Sequence, residues 1–125
     1  MEADMAPEAL KNEKAFDRRI ARGVCLICFY TPWSAPCRLQ VAILDRLVRY
    51  YDNRVIMLDL NVDYMEKLRM RFGVYRIPTL IVFKNGVECH RLVGVQPESD
   101  LCRIIDSELA AAASGRNHTD KVKST

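Results

Sequence analysis

Seven consecutive residues, Val24, Cys25, Leu26, Ile27, Cys28, Phe29 and Tyr30, carry no charge and no small polar group. A strand sends alternate side chains to opposite faces, so a run that is apolar at every position needs cover on both. This is the pattern of a central strand with helices above and below, and it excludes a sheet with one wet face. A chain of 125 residues is about one domain and buries roughly two-thirds of its unfolded surface, so it folds without disulfide or metal staples. The longest apolar runs reach about eight residues, far short of the ~20 that cross a bilayer.

The flanking segments extend the pattern. Asn12 is placed to cap a short helix carrying Phe16 and Ile20, with Gly23 at its C′ position. Residues 31–37 make a loop and a helix start, after which Cys37, Val41, Leu44, Val48 and Tyr51 recur at helical spacing, broadened by Leu39, Ile43 and Leu47. Residues 55–62 read as a second buried strand, and a helical crossover between the two strands makes them parallel. A short helix over 64–72 ends at Gly73. Strands over 79–83 and 87–93 flank Asn85-Gly86, the pair that suits a type I′ hairpin turn. Pro97 and Glu98 open a last helix in which Leu101, Ile104, Ile105 and Leu109 share a face. The expected order is α-β-α-β-α-β-β-α, an α/β domain over 9–113, with a flexible stretch at 1–8 and a disordered tail at 114–125.

Charge points to no particular partner. Residues 24–113 carry ten acids against eleven bases, and Arg69, Arg71 and Arg76 lack the interleaved aromatics of a nucleic-acid track, so they read as a solvated face. The N-terminus has neither a basic nor an apolar leader segment, so a reducing, cytoplasmic setting is expected, with no membrane and no nucleic acid as partner. Five cysteines are an odd number without framework spacing. Cys25 and Cys28 form C-x-x-C, but on a strand they face opposite ways and read as two core thiols. His90 and His118 lack paired zinc spacing, so no metal is expected.

Four motifs in order resemble the thioredoxin family over residues 24–109. They are W-x-x-P-C (Trp33, Pro36, Cys37), L-N-V-D at 60–63, R-I-P-T-L-I-V-F-K-N-G at 76–86, and Gly94 after the last strand. The resemblance implies a thioredoxin fold: a central mixed β-sheet flanked by helices, with a C-terminal β-hairpin plus helix. It also implies a cis Ile77-Pro78 peptide and a groove in which Trp33, Ala35, Pro36, Val62, Ile77, Pro78, Gly94 and Val95 receive cysteine-containing segments of client proteins. Val62 and Val95 are equally readable as core and turn residues, whereas Trp33, a large aromatic between two prolines, is not. A monomer, no cofactor, a role in thiol–disulfide redox homeostasis and a thioredoxin reductase as electron donor complete the expectation.

The active-site segment departs from that family. Where the family has W-C-G-P-C, this chain has Trp33, Ser34, Ala35, Pro36 and Cys37. The first cysteine attacks as a thiolate held at a helix N-terminus, and a serine hydroxyl has no such anion without an adjacent base. Only Cys37, in the family the resolving cysteine, survives. Cys28 stands where the family keeps a buried aspartate, Asp59 where many bacterial members have lysine, and Ala42 where a proline usually kinks the helix. Three readings stay open. The chain is a groove-only binding module, a monothiol protein acting through Cys37, or a disulfide reductase in which Ser34 replaces a cysteine. Cys28 is either a small buried hydrophobe or half of a relocated pair with Cys37.

Overall fold

The computed structural model describes residues 12–113; the stretches expected to be loose, 1–8 and 114–125, lie outside them. Strand β1 (Val24–Tyr30) is the hub. It pairs in parallel with β2 (Ile56–Asn61) and antiparallel with β3 (Thr79–Lys84), which pairs in turn with β4 (Val87–Val93), giving the order β2-β1-β3-β4. The helices are α1 (Glu13–Ile20), α2 (Ala35–Tyr51), α3 (Glu66–Arg71) and α4 (Glu98–Ala113), with a 3-10 turn at Asp52–Arg54. No helix among the described residues is long and apolar enough to cross a membrane.

Both faces of β1 are covered, as its composition demands. Cys25, Ile27 and Phe29 enter one layer with Phe16 and Ile20 of α1 and Leu68 of α3. Val24, Leu26 and Cys28 enter the other with Leu44, Leu47 and Tyr51 of α2 and Leu101 and Ile105 of α4. At ~1.5–3 kcal/mol per fully buried large side chain, Leu26, Ile27 and Phe29 alone contribute an amount comparable to the net stability of a domain. Cys25 and Cys28 lie on opposite faces, and none of the five cysteines is in a disulfide. Cys25 donates its thiol to the carbonyls of Arg19 and Arg22.

Four local expectations need correction. The buried line of α2 is Cys37, Gln40, Leu44, Leu47 and Tyr51, while Leu39 and Val48 are exposed. A polar residue replaces apolar Val41 in the line because Gln40 finds backbone partners inside the protein. The helix at 64–72 is shorter, covering only Glu66–Arg71, and β2, as an edge strand, is only alternately buried. Gly23 has positive φ but follows the Ala21 cap of α1 by two residues. The arginine cluster is tied to acids, Arg69 to Glu66 and Arg71 to Glu13 and Asp17.

Gly23 instead serves the hairpin. Asn85 accepts the Gly23 N–H on its side-chain oxygen at 2.9 Å, and its own N–H donates to the Gly23 carbonyl at 3.0 Å. Asn85 and Gly86 both have positive φ, 51° and 84°, as a type I′ turn requires. Asn85→Ala combines left-handed strain of about 1–2 kcal/mol with a lost hydrogen bond of about 1 kcal/mol. Urea denaturation should therefore show a loss of roughly 2–3 kcal/mol, with Asn85→Gly recovering only the conformational share. Equal stability of all three proteins would remove this tie from the account.

Candidate functional site

Strand β1 ends beside the N-terminus of α2, and the connecting loop carries the departing motif. Ser34 is the N-cap of α2, with extended backbone (φ −95°, ψ 126°), and its hydroxyl accepts the Cys37 N–H at 3.4 Å. Pro36 sits in the first turn, where its missing N–H costs nothing. The loop is fixed from outside by Arg38, whose guanidinium donates to the Pro32 carbonyl at 3.0 Å. Cys37 is 0% exposed, and its sulfur accepts the Thr31 N–H at 3.5 Å. The Cys37 thiol thus lies under the loop, and the position at its rim carries a hydroxyl engaged in capping. Trp33 is 70% exposed, and its indole N–H donates to Asp63 at 3.2 Å.

The segment before β3 supplies the second wall. The Ile77-Pro78 peptide is cis, and the Pro78 carbonyl accepts the Gly94 N–H at 2.8 Å. Thr79 donates its hydroxyl to the Arg76 carbonyl at 2.6 Å. Ile77, Gly94 and Val95 are half-buried and Ala35 and Pro36 exposed, whereas Val62 and Pro78 are buried. Val62 belongs to the core layer under α1 and α3 and extends the β1–β2 ladder, its N–H donating to Tyr30 at 2.9 Å. The accessible surface is therefore Trp33, Ala35, Pro36, Ile77, Gly94 and Val95.

Gln40 is a residue that apolar periodicity misses. Fully buried, it donates to the Gln96 carbonyl at 3.2 Å and accepts the Gln96 N–H at 2.6 Å. Gln96 in turn donates its amide to the carbonyls of Val93 and Gly94. This clamp holds the 94–96 loop against α2.

Beneath the loop, Cys28 on β1 stands in register with Asp59 on β2. Burial first, then the Asp59 and Cys37 charges, push the Cys28 thiol well above its ordinary range. Cys25 is likewise pushed up to about 11 by burial, against a smaller lowering by Arg19. Burial, with a repulsion from Asp45, raises the Asp59 carboxyl to about 6. Tyr30 is raised as well, by burial and then by Asp59. An acid that exchanges its proton near neutrality thus lies one strand away from Cys28.

Known proteins resemble this chain along most of its length. The family model described as Thioredoxin matches residues 8–107. A thioredoxin of Staphylococcus haemolyticus is 38% identical over 98 residues, covering 78% of this chain and 94% of the relative. A thioredoxin of Staphylococcus aureus is 35% identical over 94 residues, covering 75% and 90%. Among solved structures, a thioredoxin of Malassezia sympodialis superposes with a TM-score of 0.73 at 22% identity, covering 80% of this chain and 90% of that one. A thioredoxin of Halobacterium salinarum gives 0.71 at 26% identity, covering 78% and 85%.

Asp59 makes stability depend on pH in a defined window. Between its ordinary value of 3.8 and the folded value of about 6, the folded chain keeps a proton that the unfolded chain has released. Stability is therefore highest below 3.8 as far as this group is concerned, and falls as pH rises through 6, by on the order of 2–3 kcal/mol. Asp59→Asn should match the parent near pH 4 and exceed it near pH 7.5 in urea denaturation. Parallel pH profiles for the two proteins would contradict the assignment.

Proposed function

Because the chain belongs to the thioredoxin family, a family of thiol–disulfide redox proteins, we propose that it docks cysteine-containing client segments against Trp33, Ile77 and the Gly94-Val95 loop, and that it cannot run the two-thiol cycle on its own residues. The observation that carries this reading is the pairing of Ser34, a capping hydroxyl, with a Cys37 thiol that has no exposed surface. In the two-thiol cycle an outer thiolate attacks the client disulfide and forms a mixed disulfide. The second thiol then displaces the client as a dithiol, and the two electrons come from the protein, which is left with a disulfide. With serine at the outer position the first bond does not form. Cys37 acting alone would need the loop to open before a client sulfur reached it, so the burial of its sulfur favours docking over monothiol capture. A thioredoxin reductase is then a partner only for a chain that carries a cysteine at position 34.

Two measurements test this. The chain should leave insulin disulfides intact beyond the background rate of dithiothreitol alone, and Ser34→Cys should create turnover by pairing the new thiol with Cys37. Turnover by the unmodified chain would overturn the proposal. For docking, a client captured under reducing conditions should remain bound by Cys37→Ser, while Trp33→Ala weakens it by about 1–3 kcal/mol, the range of an aromatic anchor. Capture that disappears with reductant and in Cys37→Ser would establish covalent chemistry instead.

A further inference from the structure

Away from the loop at the α2 N-terminus, the pairing of β3 with β4 slips by one residue. Val82 pairs with His90 and Phe83 with Glu88, so Cys89 is the extra residue of a β-bulge. In an even ladder the neighbours Cys89 and His90 would face opposite ways; a bulge re-aims side chains locally. Here the Cys89 sulfur, a ring nitrogen of His90 and a carboxylate oxygen of Glu108 from α4 all lie within 4.8 Å of one another. His90 Nε2 is 2.8 Å from Glu108 Oε2, and Lys84 Nζ is 3.6 Å from Oε1. The Glu108 side chain is 2% exposed and that of His90 32%.

We propose that Cys89, His90 and Glu108 form a zinc-type metal site, distinct from the groove. Thiolate, imidazole and carboxylate are the donor classes that Zn²⁺ takes, whereas Mg²⁺ and Ca²⁺ prefer oxygen alone. At metal–ligand lengths of ~2.0–2.3 Å, donors in a tetrahedron stand roughly 3.3–3.7 Å apart. The 2.8 Å contact therefore opens by about half an ångström while the sulfur closes in, which side-chain rotation supplies. The two Glu108 oxygens divide the work: Oε2 faces the metal position and Oε1 faces Lys84, which orients the carboxylate from behind. Three protein ligands leave a fourth position for water on the open side of His90.

Binding is balanced by one proton. The Cys89 thiol, which donates to the Val82 carbonyl at 3.4 Å, loses its hydrogen to solvent as the metal–sulfur bond forms, and neutral His90 places its ring proton on Nδ1. A dication, a thiolate, the Glu108 carboxylate and the Lys84 ammonium sum to one positive charge, which favours hydroxide or chloride in the fourth position. Val82, opposite His90, is four residues along β3 from Pro78, on the order of 13 Å.

Cobalt(II) is the probe, added to the full chain with its thiols kept reduced by a phosphine. We expect one equivalent to give a sulfur-to-cobalt charge-transfer band and tetrahedral d–d bands, both displaced by Zn²⁺. Affinity should fall roughly 100-fold or more in Cys89→Ser and in His90→Asn, since even outer partners of a metal site are worth 10–100-fold. Glu108 is buried against Lys84, so the two β4 variants, each checked for native circular dichroism, carry the test. Cys28→Ser and Cys37→Ser should bind as the parent does. No cobalt band, a band that survives Cys89→Ser, or a band that requires Cys37 would overturn the proposal.

Discussion

The structure depends on β1 being hydrogen-bonded along both edges and covered on both faces. Its register with β2 and β3 fixes the sheet, and its end fixes where the chain leaves the sheet to start α2. Shifting β1 by one residue would exchange Cys28 and Leu26 for Phe29 and Ile27 in each layer, which neither helix pair could accommodate. The position of Ser34 is therefore a consequence of core packing. The hydroxyl at that cap accepts the Cys37 N–H that would otherwise be unpaired at the start of the helix. Ser34 and Cys28 each hold a defined place in that frame, Ser34 as the cap of α2 and Cys28 in the core layer under it.

The groove obeys the same division. Its walls come from the α2 loop and from the segment before β3, and neither is held by apolar burial alone. Gly94 is fixed to Pro78 through backbone, and Gln40 fixes the adjoining loop from inside α2. A buried amide with two backbone partners gives directional restraint that a leucine at the same place could not. Trp33 stands at the surface, its indole N–H donating to Asp63.

Local periodicity and turn chemistry made most of the fold legible in the sequence. The Val24–Tyr30 run, the Asn85-Gly86 turn and the Asn12 cap each specify their own conformation, and together with the family motifs they imply the sheet. The buried line of α2 is not legible in the same way, because Val41 and Val48 are apolar yet lie outside it, while Gln40 is polar yet satisfied by Gln96, a partner 56 residues away. Val62 and Pro78 sit deeper than a groove reading suggests, because the ladder and the cis turn place them under the surface. The convergence of Cys89 and His90 is hidden for a different reason. Strict alternation sends them to opposite faces, and a bulge is a property of pairing, which one strand's sequence does not show.

Asp59 and Glu108 illustrate how the same layer treats two acids. A carboxylate taken out of water needs a cation, hydrogen-bond donors, or a proton. Glu108 has Lys84 on one oxygen and His90 on the other, so its charge is compensated by the protein itself and can be shared with a metal. Asp59 meets burial and the like charge of Asp45, so it holds a proton up to about pH 6, above the ordinary carboxylate range, and is uncompensated beyond it. Because Asp59 is in register with Cys28, which feels the charge of Cys37, the region under the α2 N-terminus retains one exchangeable proton although β1 itself carries no acid. For Asp59 the consequence is a stability that falls as pH rises through about 6.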